Sequence, residues 1–413
     1  MSNYTNKNIS SPACPIYHQH LSEQFTAELV EPVDCPIEKD SFGVWHIRGY
    51  EQAQAVLRSD CVRQAGFQAE MLDKLPNYMN PPILFLEGKL HQKQRRQTAK
   101  FFTPRTTDRQ YRQLMQDFSE EIVADFKRAG RADLSQMSMD MAVGVAAQVV
   151  GLTDSRRKGM SGRIDRFLQQ SPTDFGWGFR QIKSFLRTQF DLLRFYLLDV
   201  QPAIKARQTA PKEDVISHLL ASHYTNVEIM TECITYGAAG MVTTREFIGV
   251  AMWHCLKNPE LHQLMLNADQ KTRYAFLHEL LRLEPVVGSL YRRTTHDLIL
   301  DHGTSKVTIA AGSLIELHIY AINGQESVVG QKPLQLCPNR EMVERRPKVA
   351  EYVMSFGDGP HRCPGAYIAI QESDIFLRRI LKLEGIRIEQ SPTVTYNQTV
   401  KGYELRNFII AVD

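Results

Sequence analysis

From residue 42 onward the chain alternates short strand-like runs with long stretches in which apolar residues return every three or four positions, the period of an amphipathic helix. Val44-Trp45-His46-Ile47 alternates like a strand, and Gly49 separates it from a helical Tyr50 to Leu57. Helical spacing then marks Gly88 to Phe102, stopped before Pro104, and residues 108–127, 139–150, 162–170 and 178–207. Thr225-x-x-Glu228 is a capping box that opens a segment running to Lys257, about twice the usual helix length. Ala238, Ala239, Gly240, Met241 and Val242 leave its middle without a polar face, so it should cross the centre of the molecule. Two further helices are predicted from Thr272 to Leu283, stopped by Pro285, and from Cys363 to Leu381. Strand signals at Leu298 to Leu300, Val307 to Ile309 and Leu314 to His318, parted by Asp301, Gly303 and Gly312, predict a small antiparallel sheet, and Phe408 to Val412 alternates again. Residues 323–355 show little period, and Gln68 to Pro82 is a Met- and Pro-containing loop of the kind that serves as a lid. The pattern predicts a mainly α protein with a minor antiparallel β region, one domain over residues 41–413 behind an irregular, proline-rich lead-in over residues 1–40.

Composition narrows the function classes. A hydrophobic fraction of 43% in 413 residues supplies a large core and excludes disorder as the main state. The net charge of +3 gives no field suited to nucleic acid, so a charged partner must meet a local patch. No apolar run is long enough to span a membrane, and the opening MSNYTNKNIS has neither a secretory nor a transit pattern, which places the protein in the cytoplasm. The cysteines Cys14, Cys35, Cys61, Cys233, Cys255, Cys337 and Cys363 are odd in number and form no C-x-x-C pair, so neither a disulfide framework nor a zinc knuckle is indicated.

The most informative stretch is Phe356-Gly357-Asp358-Gly359-Pro360-His361-Arg362-Cys363-Pro364-Gly365 ahead of an apolar helix. Cys363 is expected at the N-cap with Pro364 as first helical residue, where free amides and the helix dipole favour a thiolate, the form that ligates metal. Gly357 and Gly359 let the loop fold back with its amides near the sulfur, and Gly365 lets a flat ligand approach. A lone cysteine is most often a small buried hydrophobe. The whole string reverses that preference, because it resembles the haem-ligand signature F-x-x-G-x-H/R-x-C-x-G of the cytochrome P450 superfamily.

Other segments extend the resemblance in family order. Glu279-Leu280-Leu281-Arg282 resembles the E-x-x-R of the K helix, with Arg340 of Cys337-Pro338-Asn339-Arg340 as the implied third member. His91-x-x-x-Arg95 puts two cationic donors on one helical face, and its surroundings, Glu87-Gly88 and Phe101-Phe102-Thr103-Pro104-Arg105, resemble the C helix. Arg292 resembles the propionate-binding arginine. The resemblance therefore implies a haem b whose iron takes the thiolate of Cys363, whose propionates meet His91, Arg95, Arg292 and His361, and which is lined by Phe356, Gly357, Gly359 and Gly365. A long central helix should cross over the haem.

Ala239-Gly240-Met241-Val242-Thr243-Thr244 resembles the oxygen-binding motif A-G-x-D/E-T-T. Ala239 and Gly240 then admit dioxygen, and Thr243 either hydrogen-bonds it or bonds back to its own helix. Val242 stands where the family carries an acid, which leaves proton delivery to Thr243, to the substrate, or to a water chain reaching Glu246.

The implied reaction is oxidation, by hydroxylation or epoxidation, of a mainly apolar small molecule of secondary metabolism, with dioxygen as oxidant. Electrons come from a separate ferredoxin or flavodoxin and its reductase, since no residues remain for a fused electron-transfer domain. Val242 motivates an alternative, a haem-thiolate enzyme of oxidative coupling, cyclisation or rearrangement, and a haem-binding recruiter or ligand carrier without turnover is the non-enzymatic reading. Residues 71–84, Ile234 to Thr243, Val286 to Leu290 and Val400 to Tyr403 should line the substrate pocket. Lys93, Arg96 and Lys100 share one helical face, within a basic stretch (Lys89, Arg105, Arg109, Arg112) opposed by Asp108, and are either a solvated face or the dock for an acidic electron carrier.

Overall fold

The computed structural model of the chain describes residues 35–66, 81–156, 159–168, 179–345, 348–397 and 402–413. Strands β1 (Ile37–Lys39) and β2 (Trp45–Ile47) lead into α1 (Tyr50–Arg58) and β3 (Val62–Ala65). The helical body follows: α2 (Gly88–Thr98), α3 (Arg112–Ala129), the short β4 (Arg131–Asp133) and α4 (Leu134–Val150). Next come α5 (Asn226–Gly237), a π-helical segment Ala238–Val242, α6 (Thr243–Lys257) and α7 (Gln270–Leu283). Strands β5 (Ser289–Thr294), β6 (Leu298–His302), β7 (Ser305–Ile309) and β8 (Leu314–His318) precede α8 (Ala366–Leu381), and β9 (Arg387–Gln390), β10 (Thr393–Asn397), β11 (Gly402–Arg406) and β12 (Ile409–Ala411) close the chain.

The central helix starts where the capping box requires. Thr225 Oγ1 accepts from the Glu228 amide at 3.3 Å, and Glu228 Oε2 accepts from the Thr225 amide at 2.7 Å. It then runs without a break in helical dihedrals through the π segment to Lys257, and Asn258 ends it and caps the next helix, opened by Pro259. Residues 244–252 are buried on every side, because α6 lies between α4 and α8. Each large aliphatic side chain sealed there contributes about 1.5–3 kcal/mol. A second core joins α1 to one face of the five-stranded sheet β1-β2-β8-β5-β3 through Ile37, Ile47, Val56, Leu57, Ile315 and Leu317.

Several elements differ from the sequence expectation. Strand β8 does not join β6 and β7, which form their own hairpin; it pairs parallel with β2 and antiparallel with β5. β5 hides from pattern analysis because Tyr291, Arg292 and Arg293 break its alternation. β1 falls inside the stretch expected as lead-in, and residues 1–34 lie outside the described residues, as do 67–80 of the expected lid. α4 begins at Leu134 rather than residue 139, since Asp133 Oδ1 accepts from the Ser135 amide and caps it there. α8 begins at Ala366 rather than Cys363, with Gly365 as N-cap. Cys337 is disulfide-bonded, whereas Cys35, Cys61, Cys233, Cys255 and Cys363 are free. Among the described residues no helix is long and apolar enough to cross a membrane.

Candidate functional site

The loop before α8 is shaped by two positive-φ glycines. Gly357 (φ 68°) turns the chain after Phe356, whose carbonyl accepts from the Cys363 amide at 2.8 Å. Gly359 (φ 66°) lies so close to α1 that a Cβ there would fall 2.2 Å from the Leu57 carbonyl oxygen. Its role on these contacts is to dock the loop on α1, not to present an amide to the sulfur. The amides that do reach Cys363 Sγ belong to Gly365 and Ala366. Burial of the sulfur pushes the thiol up, and those two amides with the Arg95 and Arg362 guanidiniums only partly offset it. Cys363 thus lies two residues ahead of the Gly365 N-cap, with the first amides of α8 turned to its sulfur, and a cation at Sγ would favour the thiolate further. A Cβ on Gly365 would lie 4.0 Å from that sulfur, and Phe356 is anchored edge-on against Tyr352, centroids 4.9 Å apart.

Helix α2 brings His91 and Arg95 to this loop. The His91 ring, 2% exposed, stacks on His361 with centroids 4.1 Å apart, and Arg95 donates to the Arg362 carbonyl. His361 Nε2 is 3.0 Å from Glu87 Oε2, and Glu87 Oε1 accepts from the Gln64 amide at 2.6 Å. Burial first, then His361 and Arg95, press the His91 pKa down to about 4. His91 is therefore a neutral donor at neutral pH rather than the second cation its spacing suggested. Although burial opposes it, the His361 contact, the Gln64 amide and the Arg292 charge hold Glu87 below the ordinary carboxylate range.

Arg292 is 4% exposed and donates to the carbonyl of Tyr291 at 2.7 Å. It has no carboxylate within ion-pair distance among the described residues, and burial pulls its pKa down to about 10, with Glu87 the nearest opposing charge. A buried guanidinium in that condition calls for an anion. His91, Arg292 and His361 thus gather at Glu87, with Arg95 beside His91 and Cys363, and this excess of donors and cations over carboxylates among the described residues suits a dianionic ligand.

The central helix supplies the other wall. Tyr236 of α5 lies close enough to Arg95 to perturb it. One helical turn on, the otherwise buried helix opens: Ala239 is exposed, Gly240, Val242 and Thr243 are half-buried, and a Cβ on Gly240 would meet nothing within 4 Å. Thr243 donates its hydroxyl proton to the Ala239 carbonyl at 2.6 Å, the back-bonded alternative of the sequence analysis. Glu246 does not serve as a relay. It is 2% exposed, pairs with Arg245 and Arg406, and accepts from the Leu405 amide.

Beneath the loop, Arg282 donates to both carboxylate oxygens of Glu279, at 2.7 and 2.8 Å, and Arg340 Nε donates to Glu279 Oε1 at 2.7 Å. Of the expected pocket, residues 71–80 and 400–401 lie outside the described residues, Val286 is buried, and Tyr403 is core, its hydroxyl donating to the Glu284 carbonyl at 2.9 Å.

Sequence analysis missed Glu87, the acid of the cluster, whose only signal is its place just ahead of His91. It also missed Asn323, which ties the Arg282 carbonyl to the Met354 amide through its side-chain amide, and Glu372 of α8. Burial pushes Glu372 far above the carboxylate range against the opposing Thr244 hydroxyl. A charged residue inside an apolar helix was its available signal.

The cytochrome P450 family model matches residues 43–383, and the chain belongs to that family. Its cofactor is haem with a cysteine thiolate on the iron, and its chemistry is that of a monooxygenase. The chain is 24% identical to the biotin biosynthesis cytochrome P450 of Bacillus subtilis over 84% of this chain and 85% of that one. It is 23% identical to the pulcherriminic acid synthase of the same organism over 78% of each. Among solved structures it resembles P450BioI in complex with a hexadec-9Z-enoic acid-ligated acyl carrier protein, with TM-score 0.72 and 22% identity over 95% of this chain and 98% of that one. CalO2 gives TM-score 0.75 at 18% identity over 95% of each chain.

Proposed function

We propose that this P450 holds its haem between the Cys363 loop and the opening at Ala239 and Gly240, and hydroxylates or epoxidises a mainly apolar small molecule. The observation that carries the assignment is the buried Arg292 guanidinium, which has no carboxylate within ion-pair distance among the described residues and stands with His91 and His361 near Glu87. His91, Arg95, Arg292 and His361 would take the two propionates, and Cys363 the iron, its sulfur already facing the amides of Gly365 and Ala366. When bound, the haem supplies reductive activation of dioxygen. The chain's own residues do the rest: Arg95 and Arg292 fix the edge of the cofactor by charge, and the neutral His91, stacked on His361, adds a hydrogen bond without a second charge. Thr243 keeps its proton on the Ala239 carbonyl and turns its free lone pairs to the open side.

Electrons are assigned to an acidic ferredoxin or flavodoxin. Lys89, Lys93, Arg96, Lys100, Arg105 and Arg109 are all exposed, and Leu90 stands 67% exposed among them. A basic ring around an apolar contact steers and then seats an acidic partner. The reading of oxidative coupling, cyclisation or rearrangement keeps one specific support, the absence of a carboxyl at Val242 combined with the engagement of Glu246 by Arg245 and Arg406.

The test of the ligation is the Soret band of reduced protein under carbon monoxide. Wild type and Cys61→Ser should show the red-shifted band of a thiolate ligand, and Cys363→Ser should lose it. Retention of that band in Cys363→Ser overturns the assignment.

A further inference from the structure

We propose that His46, Glu316 and His318 form a binding site for one divalent first-row transition-metal cation, on the face of the five-stranded sheet turned away from Arg292. The site is separate from the haem cradle and does not depend on the function proposed above.

The sheet register builds it. His46 of β2 pairs with Glu316 of the parallel β8, and Glu316 pairs with Tyr291 of β5. His318, two residues on, returns to the same face beside Ser289. Arg292 alternates to the other side, and Ile47, Ile315 and Leu317 point into the apolar core with α1. Two imidazoles and one carboxylate are therefore gathered on a face that the core does not use.

Their ligand atoms already have the spacing of a coordination shell. His46 Nδ1 lies 2.9 Å from His318 Nε2 and 3.6 Å from Glu316 Oε2, and one ligand atom from each residue falls within 4.8 Å of the others. At metal–ligand bonds of about 2.0–2.2 Å, neighbouring donors stand roughly 2.9 Å apart at right angles and about 3.4 Å apart in a tetrahedron. The observed separations span that interval, so a cation fits with only small side-chain shifts.

The surrounding groups aim these atoms. Asp40 Oδ1 accepts from the amides of Phe42 and Val44 at 2.9 and 2.8 Å, which fixes the carboxylate, while its Oδ2 faces His46 Nε2 at 3.3 Å. With its Nε2–H directed to Asp40, His46 carries its lone pair on Nδ1, toward His318 and Glu316. Glu316 is held in the same way: Ser289 Oγ and Tyr291 Oη both donate to Oε1 at 2.8 Å, which leaves Oε2 for the imidazoles. A carboxylate behind a ligating histidine and hydroxyls behind a ligating carboxylate are the outer-shell pattern of metal sites. The His46 and Glu316 side chains retain 18% and 14% of their exposure, enough to admit an ion with its remaining waters. Two imidazoles with one carboxylate suit Zn2+, Ni2+, Cu2+ or Fe2+ and disfavour Mg2+ or Ca2+, which take oxygen ligands. Bound there, the ion would tie the β1–β2 hairpin to β8.

Without an ion, the same 2.9 Å contact is a hydrogen bond between the two imidazoles, with His318 Nε2–H as donor when His46 Nδ1 carries its lone pair. The two cases separate by titration. The haem-loaded full chain, freed of its affinity tag and stripped with chelator, is titrated with ZnCl2 by calorimetry, with haem and circular dichroism as folding controls. Wild type and the exposed-residue control His296→Ala should each bind one equivalent of zinc that excess Mg2+ does not displace. His46→Ala, His318→Gln and Glu316→Gln should lose that equivalent, and Asp40→Asn should weaken it about 10–100-fold. Wild-type protein with no saturable zinc site tighter than about 10 µM would overturn the proposal. So would folded His46→Ala and His318→Gln variants that bind zinc as wild type does.

Discussion

Replacing Glu279 by Ala should cost the protein both stability and haem, and the size of the loss follows from its contacts. Arg282 is 1% and Glu279 3% exposed, and Arg282 Nη1 continues to the Asn323 carbonyl at 2.9 Å. Asn323 in turn binds Ser355 Oγ at 2.8 Å and the Met354 amide at 2.9 Å, directly ahead of Phe356 and the cysteine loop. Among the described residues Glu279 is the carboxylate that pairs with both Arg282 and Arg340, and Oε1 also accepts from the Cys337 amide at 3.1 Å. Truncation leaves a buried guanidinium uncompensated, at about 3–5 kcal/mol. An unfolding entropy of about 2.1 cal/mol/K per residue over 413 residues is roughly 0.9 kcal/mol/K, so Tm should fall by about 3–6 °C. The double variant Glu279→Ala, Arg282→Met removes the orphaned charge with its partner and should recover part of that loss.

The assay is the thermal midpoint of haem-loaded protein with the yield of bound haem per chain. Although burial opposes it, Arg282 and then Arg340 hold Glu279 below the ordinary carboxylate range. Its stabilisation is therefore present above the unfolded pKa and is lost as pH falls below it through the depressed folded value. The gap between wild type and Glu279→Gln should accordingly narrow toward acid pH. Glu279→Ala with full haem and a midpoint within about 1 °C of wild type would refute the argument.

Thr243→Ala should lower productive turnover more than substrate affinity, and Val242→Glu should change the ratio of product to released peroxide; both ratios come from substrate, product and peroxide assays on one preparation. Burial raises the Glu232 pKa to about 7, against the Ile83 amide and Gln94 Nε2 that bond its Oε1. A raised folded pKa means stability present below about pH 4.5 and lost up to about pH 7, some 3 kcal/mol in all. Melts of Glu232→Gln should match wild type near pH 5 and exceed it at pH 8. Charge reversal at Arg96 and Lys100 should slow reduction by an acidic ferredoxin roughly tenfold at low ionic strength and flatten its salt dependence, as stopped-flow reduction can show.

Local signals made the helical frame legible. The capping box at Thr225 starts the central helix, and Pro285 marks the end of α7, because each acts through backbone groups within a few residues. Glu279 and Arg282 could be paired from i, i+3 spacing alone, whereas the contact with Arg340 needs a fold that returns the chain from 61 residues away. What stayed hidden depends on burial or on non-local pairing. The His91 charge was misjudged because spacing says nothing of desolvation, and the stack on His361 was out of reach for the same reason. β5 shows no clean alternation, and although β2 and β8 were each legible as strands, their parallel pairing is set by a partner far along the chain that neither segment announces. Gly359 was recognisable as a required glycine, but the cause, the Leu57 carbonyl of α1, is tertiary.

The proton supply on the open side of the central helix follows from four side chains taken together. A hydroxyl in contact with a backbone carbonyl can only donate to it, so the Thr243 proton is committed to Ala239, and Thr243 offers acceptor lone pairs. Val242 has no proton to give. Glu246 is ionically locked by Arg245 and Arg406, and moving it would strip the buried Arg245 and the half-buried Arg406 at once. Burial raises the Glu372 pKa well above the carboxylate range, but the residue is 3% exposed and meets the buried Thr244 hydroxyl, one residue past Thr243. Among these four side chains none offers a proton to the open side, so in the function proposed above the helix would position and accept. Under that reading protons would come from water or from the substrate, and a molecule with a hydroxyl or amide placed near Thr243 should be oxidised with less released peroxide than a pure hydrocarbon.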